Sequence, residues 1–101
     1  MPYLVTCFDH PGRPELRMKN REAHLAYIAG SGAFVSAGGP LMSDDGARMI
    51  GSFLILDTDE RSEAEAWSRK DPYAIGGVFE SVTFLRWKWT VGPPASLVSK
   101  G

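Results

Sequence analysis

The chain has 101 residues, 44% hydrophobic and 23% charged, an ordinary composition for one globular domain. Eleven Lys and Arg against twelve Asp and Glu leave a formal charge of −1, so no electrostatic argument points to nucleic acid or an anionic membrane as a partner. No apolar run approaches the roughly 20 residues of a membrane span, and a single cysteine, Cys7, permits no internal disulfide.

Tyr3 to Phe8 is a β-branched and aromatic run stopped by Asp9-His10-Pro11-Gly12-Arg13-Pro14, which predicts a strand and then a loop. Glu15 to Ala29 lacks Gly and Pro and is rich in helix formers; Pro14 suits its first position and Gly30-Ser31-Gly32 stops it. A second strand is expected from Ala33 to Ala37, running through Gly38-Gly39-Pro40 into Leu41-Met42. Ser43-Asp44-Asp45-Gly46 then makes a hairpin-type turn into a third strand, Met49 to Asp57. Asp57-Thr58-Asp59-Glu60 opens a second helix, which ends at Arg69-Lys70, in agreement with the helix dipole at both ends. Asp71 caps a short further turn beginning at Pro72 and closed by Gly76-Gly77.

Val78 to Trp89 is the last expected strand. Val82 and Phe84 point one way, and Leu85, Trp87 and Trp89 the other, so both faces carry apolar residues. Such a strand is more easily covered in a dimer than in a lone sheet. The order strand, helix, strand, strand, helix, strand predicts an α+β, ferredoxin-like βαββαβ fold with one antiparallel sheet and two helices on one face. A single domain is expected over 1–91 and a C-terminal tail over 92–101. The start, Met1-Pro2-Tyr3-Leu4-Val5, lacks the basic region and cleavage site of a signal peptide, and with the lone cysteine this predicts a cytoplasmic protein.

The residues that point to chemistry are His24, midway along the first helix, and Asp71 of the Asp71-Pro72-Tyr73 turn. An imidazole changes charge near neutral pH, and a carboxylate fixes its tautomer and raises its basicity. At 100° per residue Arg17, Arg21, His24 and Ile28 share one sector of the helix. The plain alternative is a partly exposed helix histidine and an aspartate that only caps. The two roles of Asp71 are compatible, because a capping carboxylate has a second oxygen. Tyr73 is a packed aromatic or a hydroxyl donor at a cavity mouth.

Arg17 and Arg21 suit an anionic substrate group, Arg21 the better of the two, unless they pair with Glu15 or Glu80. Gly38 and Gly39 mark a bend in the sheet, and glycine also lets a ligand approach the backbone. The spacing matches no phosphate-binding loop, so no nucleotide and no cofactor is predicted. Asp9, His10 and His24 lack metal-ligand spacing, and no metal is predicted. Cys7 reads as a small buried hydrophobe. Ser36 and Ser52 lack the context of an acyl-transfer nucleophile.

Several of these fragments together resemble the YCII-related family of dimeric α/β-barrel proteins. They are Arg17…Arg21-Glu22-Ala23-His24-Leu25-Ala26-Tyr27-Ile28, Ala37-Gly38-Gly39-Pro40-Leu41, Gly51-Ser52-Phe53 and Asp71-Pro72-Tyr73…Gly77-Val78-Phe79-Glu80, with the acidic turn before the second helix. The resemblance spans nearly the whole chain and rests on order and spacing. It implies a homodimer pairing two sheets to enclose a cavity, and a characteristic His and Asp, here His24 and Asp71, tied to an enzymatic role. On this basis the expected function is a cofactor-independent lyase or isomerase acting on a small anionic or phenolic metabolite. Arg21, Arg17, Gly39 and Tyr73 are its candidate binding residues. The alternative is a non-catalytic small-molecule-binding or accessory protein with the same cavity.

Overall fold

Alternation governs the sheet. In the computed structural model, which describes residues 1–93, strand β1 (Tyr3–Asp9) buries Tyr3, Val5 and Cys7 and turns Leu4, Thr6 and Phe8 to the opposite face. It lies centrally in a four-stranded sheet of order β2-β3-β1-β4, with β2 (Val35–Met42), β3 (Met49–Leu56) and β4 (Phe79–Arg86), all neighbours antiparallel. Helices α1 (Pro14–Gly30) and α2 (Arg61–Arg69) and the short α3 (Pro72–Ile75) complete the ferredoxin-like α+β architecture. The core lies on the helix side, where Tyr3, Val5, Cys7, Leu54, Leu56 and Ala64 pack together.

Element limits differ from the sequence expectation where neighbours intervene. The last strand was expected to reach Trp89 but ends at Arg86, opposite Tyr3, where β1 runs out. Pro2 has no amide to extend the ladder, although its carbonyl still accepts from the Trp87 amide at 2.9 Å. Trp87 and Trp89 then pack edge to face, 4.5 Å between centroids. The second strand starts at Val35, because Gly32 takes a positive φ of 57° and Gly32–Phe34 forms a 3-10 turn first. Ahead of α2, the Thr58 hydroxyl accepts from the Glu60 amide and donates to Glu63 Oε1 at 2.6 Å. Residues 94–101 of the expected tail lie outside the described residues.

Helix α1 is seated in an unusual way. Its buried residues are Arg17 and His24, while Met18 and Leu25 are exposed. Its Ile28 packs against the core, and polar bonds to α2 hold its C-terminal end: the Tyr27 hydroxyl donates to the Trp67 carbonyl, and the Trp67 indole donates to Oγ of the capping Ser31. Its inner face covers the polar end of β1 and β3, and the site is built there.

Candidate functional site

Asp71 organises the site from the start of α3. Its Oδ1 accepts from the Tyr73 amide at 2.9 Å, a side-chain cap, with Pro72 at the first helical position. The same oxygen meets His24 Nδ1 at 2.7 Å, and both side chains are buried. An ionised carboxylate only accepts, so Nδ1 carries the proton and Nε2 is left to exchange one. Among the described residues no buried side-chain nitrogen or oxygen lacks a partner, so Nε2, which has none in the protein, opens onto solvent space.

That space is a cavity of about 290 Å³ between α1, β2, β3 and Tyr73. His24, Arg17, Arg21, Gly38, Gly39 and Pro40 contribute to its wall, and Leu25, Ile28, Val35 and Leu54 make it largely apolar. All of these residues come from a single chain and lie on the helix side of the sheet. The volume suits a single-ring metabolite.

Tyr73 is buried, and its ring stacks on the His24 imidazole at 3.8 Å with 9° between planes. Phe79 meets the same ring edge-on at 5.9 Å. Burial pushes the Tyr73 phenol above its ordinary range, against the opposing pull of the Arg17 and Arg21 cations, so it stays protonated. Tyr73 is thus both a packed aromatic and part of the cavity lining.

Arg17 is tied to neither Glu15 nor Glu80. Its Nε and Nη2 donate to the two carboxylate oxygens of Asp9 at 2.8 and 2.9 Å, and Nη2 also donates to Ser52 Oγ at 2.9 Å. Glu15 pairs with Arg13, and Glu80 lies 3.7 Å from His10. Burial works against the Arg17 charge, but the Asp9 bond outweighs it and holds the guanidinium above its ordinary pKa. Its carbon sits 4.6 Å from the centre of the Tyr73 ring. Arg21, exposed on the cavity wall, takes part in none of the salt bridges among the described residues.

The bend expected at Gly38 and Gly39 is not there: they pair in register with Leu54 and Phe53, and β2 shifts register between Val35 and Ala37 and between Leu41 and Met42, but the two glycines still divide their roles. A Cβ on Gly38 would strike Leu54 Cδ2 at 2.5 Å and the Phe53 carbonyl oxygen at 2.9 Å, whereas one on Gly39 would meet nothing within 4 Å. The fold requires the first glycine, and the second leaves open backbone at the cavity.

Asp9, His10 and His24 engage Arg17, Glu80 and Asp71 respectively and are not brought together. Among the described residues no group of three His, Cys, Asp or Glu is placed to hold a metal ion. Two participants have roles other than those weighed from the sequence: Asp9 anchors Arg17, and Ser52 is the second acceptor of the same guanidinium. Alternation was the available signal, since Asp9 continues the inward series Tyr3, Val5, Cys7 and Ser52 precedes the inward Leu54 and Leu56.

The family model of the YCII-related domain matches residues 1–88. The protein YciI of Escherichia coli and that of Shigella flexneri are each 31% identical over 96 residues, covering 87% of this chain and 97% of the relative. A solved structure of 5-chloro-2-hydroxyhydroquinone dehydrochlorinase from Burkholderia phenoliruptrix, in complex with 2,5-dihydroxybenzoquinone, superposes with a TM-score of 0.79 at 34% identity. The alignment covers 87% of this chain and 94% of that one.

Proposed function

Since the chain belongs to the YCII-related family, we propose that it is a cofactor-independent enzyme of lyase or isomerase type, acting on a small phenolic or anionic metabolite through a His24–Asp71 dyad. One observation carries this reading: the 2.7 Å contact of His24 Nδ1 with Asp71, at the wall of a cavity sized for one ring. His24 Nε2 takes a proton from the substrate, and Asp71 orients the imidazole and stabilises its cation. Arg21 accepts developing negative charge, Gly39 lets the ring approach the backbone, and Tyr73 and Arg17 complete the wall.

The dehydrochlorinase name of the structural relative supports this class of chemistry, because loss of HCl needs a proton acceptor and a leaving anion but no oxidant. The protein acts as a homodimer in the cytoplasm. Its partner covers the sheet face that the helices leave open, where Phe8 and Leu85 are exposed.

The test uses the two compounds that name the relative's chemistry. Chloride release from 5-chloro-2-hydroxyhydroquinone is followed, and 2,5-dihydroxybenzoquinone binding is titrated, in the native protein and in His24→Gln. Turnover is expected to fall about a hundredfold to ten-thousandfold, with ligand affinity within a few-fold of native. Binding without any turnover in the native protein would instead select the accessory reading, which the open, cation-lined cavity also accommodates. Neither binding nor turnover would remove hydroxylated rings from consideration.

A further inference from the structure

Behind the dyad stands a second charged pair that the proposed chemistry does not consume. Asp9, Arg17 and Ser52 are joined by three hydrogen bonds of 2.8 to 2.9 Å, drawn from β1, α1 and β3. The guanidinium lies 4.6 Å from the centre of the Tyr73 ring, the ring on which the His24 imidazole is stacked at 3.8 Å. One edge of the guanidinium, Nε with Nη2, is committed to both carboxylate oxygens of Asp9 and Nη2 also to Ser52, so its position is fixed without a ligand. We infer that the Asp9–Arg17 pair is a positioning and charge-setting unit for His24: the guanidinium, acting across Tyr73, opposes Asp71 and keeps the imidazole in its proton-accepting form near neutral pH, while Asp9 sets how strongly that charge is felt.

The geometry explains why such a unit has work to do. Asp71 favours the imidazolium, and a base already protonated at neutral pH takes no further proton. The charged groups facing His24 are Asp71 at the start of α3, Arg21 one turn away on α1, and Arg17 with Asp9 behind it. The remaining titratable neighbours are neutral in this range: burial pushes up the Tyr73 and Tyr27 phenols and the Cys7 thiol beneath them. At the cavity wall strand β2 offers no titratable side chain, and β3 only Ser52 as a polar group. Arg17 is therefore the buried cation available to counter Asp71. A full charge several ångströms away in a partly buried setting moves a titration midpoint by on the order of one pH unit.

The inference rests on the acid–base reading of the site, yet its test needs no substrate. The His24 imidazole is titrated by NMR in the native protein and in Arg17→Gln, Arg17→Lys and Asp9→Asn. Removing the cation raises the midpoint by about half a pH unit or more, keeping it as Lys leaves the midpoint near native, and removing the anion lowers it. Opposite shifts from the two ends of one ion pair are the signature, because mere loosening of the site would move both variants alike. An unmoved midpoint in folded Arg17→Gln, or the same direction of shift in Arg17→Gln and Asp9→Asn, overturns the proposal. If Arg17→Gln does not fold, Asp9→Asn and Arg17→Lys decide: no downward shift in the first, or a displaced midpoint in the second, is equally fatal. Absence of turnover on any compound would sink the proposed reaction and leave this result standing.

Discussion

Cys7 lies beneath the site on β1, and burial, reinforced by Asp71, pushes its thiol up to about 12. The thiol is thus neutral and unreactive in the folded protein at any ordinary pH. The raised value also bears on stability. Above about pH 9 the unfolded chain releases this proton and the folded chain keeps it, so the unfolded state binds fewer protons and stability falls as pH rises. The full contribution is present below pH 9 and is lost progressively toward the folded value, at up to about 1.4 kcal/mol per pH unit. The raised Tyr73 and Tyr27 phenols act in the same direction at higher pH. Urea denaturation of the native protein and of Cys7→Ala between pH 8 and 10.5 checks this. The variant is expected to show a shallower alkaline decline, and parallel curves would refute the assignment.

At the scale of elements, closeness between strands decides which glycines matter. A Cβ on Gly51 of β3 would stand 2.2 Å from the Cys7 carbonyl oxygen, a backbone atom that cannot step aside. Gly51→Ala should therefore force β1 and β3 apart and cost about 1–3 kcal/mol in chemical denaturation. Gly39→Ala, facing open space, should stay within about 0.5 kcal/mol of native stability. Equal losses in the two variants would contradict this account.

The same scale shows what could be read without coordinates. Hydrophobic period and turn residues placed the four strands, both longer helices and the Asp71 cap, because these signals are local. The end of β4 at Arg86 depends on where β1 stops, which no window along β4 contains. The meeting of His24 and Asp71, 47 positions apart, was suggested by the order of family-like fragments and not by periodicity. Arg17 was the harder case. Glu15 and Glu80 were plausible partners by type, and only the docking of α1 across the ends of β1 and β3 selects Asp9 and Ser52. The inner face of α1 carries Arg17 and His24 beside Ile28, so hydrophobic periodicity along this helix is weak.

Across the whole molecule, one sheet face is covered by helices and the other is left with Phe8 and Leu85 about half exposed. Association is one way for a domain of this length to bury more apolar surface, and a two-fold pairing of these open faces would cover both at once. Sedimentation equilibrium should give twice the chain mass of 11.0 kDa at micromolar concentration. Leu85→Glu, which sets a charge on the open face, should shift the population toward monomer. A native protein sedimenting at the single-chain mass, or a variant with unchanged mass, would mean that this face is not the contact.

A single oxygen atom of Asp71 serves both the Tyr73 amide and the imidazole, so folding and the proposed chemistry share a part. A descendant without the proposed reaction would still need the aspartate to begin its short helix. Finding that aspartate in a relative therefore says little about whether the relative is active. The histidine has no comparable second duty to the backbone, and its replacement is the more telling mark of a lineage that has changed trade.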